Sequence, residues 1–164
     1  MTTAFRAMQF ARAAHAGQRR KYTGNPYADH LAEVAGIVAT IPHSDDMIAV
    51  AWLHDTVEDT GVTLGEIELE FGILVAIGVS GLTDCETGNR AERKRQSRDR
   101  LAACAGWIQN IKCADLISNT SSIVMHDPKF AVTYLEEKRL LLGVMTKADP
   151  GLLAMARAQI GSAA

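Results

Sequence analysis

Apolar residues recur along the 164-residue chain at helical intervals, and no stretch alternates with the two-residue period of a half-buried strand. The pattern predicts an all-α fold. Phe5, Met8, Ala11 and His15 are spaced by three, three and four, which places one stripe on a first helix ending near Gly17. Gly24-Asn25-Pro26 breaks the turn over residues 18–27. A second helix carries Leu31, Val34, Ala35 and Val38 up to Pro42, and a third runs from about 45 to 59 before Thr60-Gly61. Thr63 with Glu66 three residues on has the form of a capping box for a short fourth helix, and Phe71-Gly72 precedes an apolar stretch through Leu82. Residues 107–118 are apolar and helical in pattern. Asp127-Pro128 and Asp149-Pro150 each pair an N-cap with proline at the first helical position, so two C-terminal helices complete the set. No repeat, low-complexity tract or linker interrupts it, and one domain over 1–164 is expected.

Composition narrows the function classes. The chain is 48% hydrophobic and 22% charged, enough to bury one core. With 17 Lys and Arg against 19 Asp and Glu the formal net charge is −2, so no nucleic-acid partner is expected and any anion site must be local. Cys85, Cys104 and Cys113 are odd in number and lack C-x-x-C spacing, which argues against a disulfide framework and a thiolate zinc site. No run approaches the roughly eighteen apolar residues of a membrane span, and no signal peptide is evident; a cytoplasmic protein without a membrane partner is expected.

The third helix moves from Met47-Ile48-Ala49-Val50-Ala51-Trp52-Leu53 to His54-Asp55-Thr56-Val57-Glu58-Asp59. On a continuous helix His54 and Glu58 form one row and Asp55 and Asp59 another, so three acids share one turn near the negative end of the helix dipole. A divalent cation reverses that balance, because carboxylates and neutral imidazoles are its ligands. The plain alternative for His54-Asp55 alone is a solvated helix end; Glu58 and Asp59 move the reading towards function. His30 shares a face with Val34 and Ile37, and Asp115 interrupts Ile111 and Leu116-Ile117 with Asn119 four residues on. Singly, His30 reads as a satisfied core histidine and Asp115 as an ion-pair partner of Lys112 or Arg139. Jointly with His54 and Asp55 they form a sulfur-free N/O set suited to Mn, Fe or Zn.

These residues resemble the HD-domain hydrolases of the RelA/SpoT type, in particular the single-domain small alarmone hydrolases. The resemblance runs through Ala14-His15-Ala16-Gly17-Gln18, Arg20-Lys21, Pro26-Tyr27 and His30. It continues through His54-Asp55-Thr56-Val57-Glu58-Asp59-Thr60, Phe71-Gly72, Leu82-Thr83-Asp84, Arg93-Lys94, Ile111-Lys112, Ala114-Asp115 and Asn119. It implies an HD-domain helical bundle with a metal site between helices, in which His30, His54, Asp55 and Asp115 bind one metal, usually Mn(2+). Glu58 and Asp59 are then the catalytic acids that handle the attacking water. The implied reaction removes pyrophosphate from the 3′ position of guanosine tetraphosphate or pentaphosphate, giving GDP or GTP, with no organic cofactor.

Arg20, Lys21 and Asn119 are expected substrate contacts, and the resemblance implies Tyr134 as a further one; a solvated basic turn is an equal account of Arg20-Lys21 on composition. Of the six cations over residues 89–100 most read as a solvated helix face, with Arg93 and Lys94 the candidates for a role. His15 reads as a structural histidine bonded within the core, and His43 and His126 fall in expected loops without a role. The sequence departs from the family at Leu31, where proline usually follows the histidine, and at Ile117-Ser118. Two other readings stay open: an HD phosphohydrolase acting on another nucleotide or dinucleotide phosphate such as NADPH, and a nucleotide-binding module with a non-catalytic metal site.

Overall fold

Thr2 caps the first helix, its side chain accepting from Phe5 N at 3.2 Å, and α1 then runs Thr3–Ala14 in this computed structural model, which describes residues 1–161. The described residues form ten helices and no strand, with one isolated bridge between Arg19 and Pro26. The all-α expectation holds. The chain divides into two compact units, Met1–Thr83 and Asp84 onward. None of the described helices is long and apolar enough to cross a membrane.

In the first unit α2 (Tyr27–Val38), α3 (Asp45–Leu53), α4 (Thr56–Asp59), α5 (Leu64–Phe71) and α6 (Ile73–Leu82) follow α1. Helix α3 is the axis: α1, α2 and α6 all pack on it. A helix enclosed by three others must be apolar on nearly every face, and Met47, Ala49, Val50, Ala51, Trp52 and Leu53 are all buried. The α1 stripe is shifted from the expected one. Ala7 and Ala11 are fully buried, whereas Phe5 is 44% exposed, because alanines let α1 approach α3 closely. Thr63 and Glu66 make the expected capping box. Leu31 sits inside α2 and is fully buried, so apolar packing occupies the position where the family usually has proline.

The expected third helix is two. It stops at Leu53, and a second short helix restarts at Thr56. His54 Nδ1 lies 2.8 Å from Ala51 O, the carbonyl of the turn that a continuing ladder uses, and this side-chain bond competes with it. Asp55 then takes φ −99° and ψ −2°, and its carbonyl accepts from Asp59 N at 2.9 Å to restart the helix.

The second unit contains α7 (Arg90–Ala103), α8 (Gly106–His126), α9 (Pro128–Val144) and α10 (Pro150–Gly161). Helix α8 packs on α9 and α10, and α7 on α9. Asp127 accepts from Phe130 N at 3.2 Å, and Asp149 from Gly151 N at 2.8 Å and Leu152 N at 3.1 Å, so both expected caps form. Helix α8 is longer than its apolar segment suggested, and His126 closes it rather than lying in a loop. Lys147 Nζ reaches the carbonyls of Ala102, Ala103 and Cys104 at 3.1 to 3.3 Å and so satisfies the end of α7.

Candidate active site

Helix α2 and the α3–α4 break bring His30, His54 and Asp55 together. His30 is 1% and His54 3% exposed, and their Nε2 atoms lie 3.6 Å and 3.1 Å from the same oxygen, Asp55 Oδ2. The rings meet edge to face with centroids 5.3 Å apart. The His54 Nδ1 bond to Ala51 O assigns the ring proton to Nδ1 in the neutral imidazole, which leaves the Nε2 lone pair facing the carboxylate. Two electron-rich atoms at that distance call for a positive charge close to both. This donor chemistry, two imidazole nitrogens and a carboxylate oxygen, fits a divalent first-row cation.

Tyr27, which sequence reasoning did not single out as a site residue, donates its hydroxyl to Asp55 Oδ2 at 2.6 Å. The nearest signal was its position just before the helix that bears His30. Glu58 and Asp59 are exposed on α4, so their carboxylates stay ionised at no burial cost. Gln18 Nε2 donates to Asp59 Oδ2 at 2.8 Å. His15 is buried, as expected, and bonds to Gln18 and Thr56. Arg20 meets Glu33 at 3.4 Å, and Lys21 is exposed with its ammonium 4.8 Å from the Tyr22 ring centre.

The remaining expected residues lie in the second unit. Asp115 is buried on α8; its Oδ2 accepts from Lys112 Nζ at 2.8 Å and its Oδ1 from Asn119 Nδ2 at 2.8 Å. Of the two ion-pair partners considered, Lys112 is the one observed, whereas Arg139 pairs with Glu136 one turn away. Asp115, Asn119 and Tyr134 line a cavity of about 280 Å³. Arg90, Lys94 and Arg98 contribute cations to its wall, and Phe130 an aromatic ring; Arg93 is exposed on α7. Arg90 is held by Glu137 at 2.7 and 2.8 Å, with its guanidinium 5.1 Å from the Phe130 ring centre.

Burial pushes the Tyr134 phenol up to about 12, so it remains a hydrogen-bond donor at neutral pH. Behind it Lys138, 1% exposed, donates to Thr120 Oγ1 at 2.8 Å and Gln159 Oε1 at 2.7 Å. Burial pulls this ammonium down to about 8. In the sequence Lys138 falls within the charged run Glu136-Glu137-Lys138-Arg139, which reads as a solvated helix face and so hides its burial.

Residues 7–107 match the HD-domain family model, and the chain belongs to the HD-domain family. His30, His54, Asp55, Glu58 and Asp59 fall inside that match; Asp115, Asn119 and Tyr134 lie beyond it. The chain is 39% identical over 115 residues to the Danio rerio protein named guanosine-3′,5′-bis(diphosphate) 3′-pyrophosphohydrolase MESH1, covering 68% of this chain. It is 39% identical over 116 residues to the Homo sapiens protein of the same name, covering 69% of this chain. The matches span 64% and 65% of those relatives' own lengths. A solved structure of a metazoan SpoT ortholog that hydrolyses ppGpp has a TM-score of 0.90 to this chain. It covers 99% of this chain and 96% of its own at 24% identity, a likeness of fold.

Proposed function

We propose that this chain is a metal-dependent phosphohydrolase that removes pyrophosphate from the 3′ position of guanosine tetraphosphate or pentaphosphate, leaving GDP or GTP. The observation that carries the reading is the convergence of His30 and His54 Nε2 on Asp55 Oδ2, followed on the next helix by the exposed acids Glu58 and Asp59. The names of the relatives support the substrate.

In this reading His30, His54, Asp55 and Asp115 hold one metal, manganese, and the whole chain acts as one HD domain. The fourth ligand, Asp115, rests on the family resemblance. A divalent ion supplies Lewis acidity towards a phosphoryl oxygen and makes a nearby water more acidic. Glu58 or Asp59 accepts a proton from the attacking water as its oxygen bonds the phosphorus, and that proton passes to the ribose 3′ oxygen as its P–O bond breaks. Arg20 and Lys21 bind phosphate oxygens, and Asn119 and Tyr134 hold the nucleoside or its phosphates. No organic cofactor takes part, and the cytoplasm is the expected compartment.

The cavity favours one second reading. Its cations and aromatic rings suit nucleotide phosphates in general, so another nucleotide or NADPH is the competing substrate. Metal-stripped protein incubated with guanosine tetraphosphate, with and without manganese, separates these when products are resolved by anion exchange. GDP and pyrophosphate formed only with manganese and only with Asp55 intact support the proposal, with Asp55→Ala as the control. Manganese binding without turnover of this substrate refutes it and directs the test to a phosphate-ester panel. Retained turnover in Glu58→Gln would remove the role given to that acid.

A further inference from the structure

A directional hydrogen-bond chain in the first unit ends on Asp59. Gln18 Nε2 lies 2.8 Å from Asp59 Oδ2, and an ionised carboxylate only accepts, so the amide nitrogen must face it. The amide oxygen therefore points the other way, to His15 Nδ1 at 2.5 Å. For that bond the imidazole must carry its proton on Nδ1. In the neutral ring Nε2 then keeps its lone pair, which matches a hydroxyl donor in Thr56 Oγ1 at 3.4 Å. Two links permit one polarity only, His15 to Gln18 and Gln18 to Asp59, and the neutral ring adds Thr56 to His15.

The anchor of this hydrogen-bond chain is buried although its end is exposed. His15 is 2% exposed and stacks on Tyr27, with centroids 5.1 Å apart and planes 23° from parallel. Tyr27 is in turn held by its bond to Asp55. The imidazole is thus restrained on one face and at both nitrogens. An exposed carboxylate without such a tether samples several rotamers, and fixing one beforehand removes that cost from the reaction. A neutral amide suits this position, because a cation in its place would make the carboxylate a weaker base, and a carboxylate would repel it.

We propose that Gln18, held by His15, is a positioning residue that aims the Asp59 carboxylate at the attacking water. The inference rests on the hydrolase reading and adds to it a reason for the residues that precede Arg20.

The test compares kinetics and ring tautomers in the full chain. Gln18→Met keeps the volume and removes both amide groups; it is expected to lower kcat for guanosine tetraphosphate by about 10-fold or more with KM within about twofold, the scale of lost outer-shell partners. In an Asp59→Asn background the same change is expected to have no further effect on kcat. A kcat within about twofold of wild type, an effect confined to KM, or multiplicative losses in the double variant would overturn the proposal. Independently of turnover, long-range ¹H–¹⁵N spectra of the metal-free protein are expected to show His15 protonated at Nδ1, and the Nε2–H tautomer would refute it. If wild-type protein leaves guanosine tetraphosphate intact, the substrate reading fails by itself. The kinetic comparison then moves to the phosphate ester that the wild type does hydrolyse, and the tautomer still decides.

Discussion

The hydroxyl of Tyr27 donates to Asp55 Oδ2 at 2.6 Å, the same oxygen that faces Nε2 of His54 at 3.1 Å. A phenol in that position orients the carboxylate and draws charge from one oxygen, as outer-shell partners of metal ligands do. Tyr27→Phe is expected to weaken manganese binding by about 10- to 100-fold while leaving the fold intact. Calorimetric titration of the metal-free variant with manganese measures this, and wild-type affinity would show that the bond is incidental.

Tyr134 places a protonated hydroxyl in the cavity wall, 3.4 Å from both Leu116 O and Thr120 Oγ1. Those are long bonds, so the hydroxyl is available to a ligand. Tyr134→Phe is expected to raise KM for guanosine tetraphosphate several-fold with little change in kcat, which steady-state kinetics reads directly.

Lys138 predicts a pH dependence of stability. Its ammonium falls from 10.5 to about 8 on folding because burial disfavours the charge, with Cys113 on α8 opposing that shift. Between those values the unfolded chain binds more protons than the folded one, so stability contributed at this site rises with pH from about 8 to 10.5. Below about 8 the charged amine is buried at full cost, and above 10.5 the cost is gone. The stability of wild type relative to Lys138→Met should therefore increase across that window. The expected gain is on the order of 2 kcal/mol, allowing for screening of an amine at a cavity wall. Urea unfolding of both proteins at pH 7.5, 9 and 10.5 (about the start, middle and end of the transition) tests it.

Gly106 opens α8, the helix that carries Asp115 and Asn119. A Cβ there would clash with the backbone oxygen of Lys147, which cannot move without disturbing the lysine that caps α7. Gly106→Ala is expected to destabilise the protein by about 1–3 kcal/mol, measured as a lowered denaturation midpoint with an unchanged slope.

Helix starts were legible because their chemistry is local. Thr63 and Glu66 close a box within four residues, and Asp127 and Asp149 cap the turn they begin. The buried histidine of α2 was legible for a related reason: His30 lies one turn from Val34, and the packing that buries that face buries both, while Ile37 at its edge is half-buried. The interruption at His54 was not. Residue pattern describes a helix by its side chains, whereas this helix ends because one imidazole binds the carbonyl of Ala51.

Sequence pattern alone thus specified an all-helical chain, its caps, and a set of imidazoles and carboxylates whose spacing is unfavourable unless they share a charge. Packing settled the rest. Phe5 is exposed and Ala7 buried because α1 lies close against α3, a matter of interhelical distance that periodicity does not carry. Tyr27 reaches Asp55, and Gln18 reaches Asp59, across 28 and 41 residues of sequence. Hydrogen bonds of that kind depend on where separate helices place their side chains, and no local propensity encodes them.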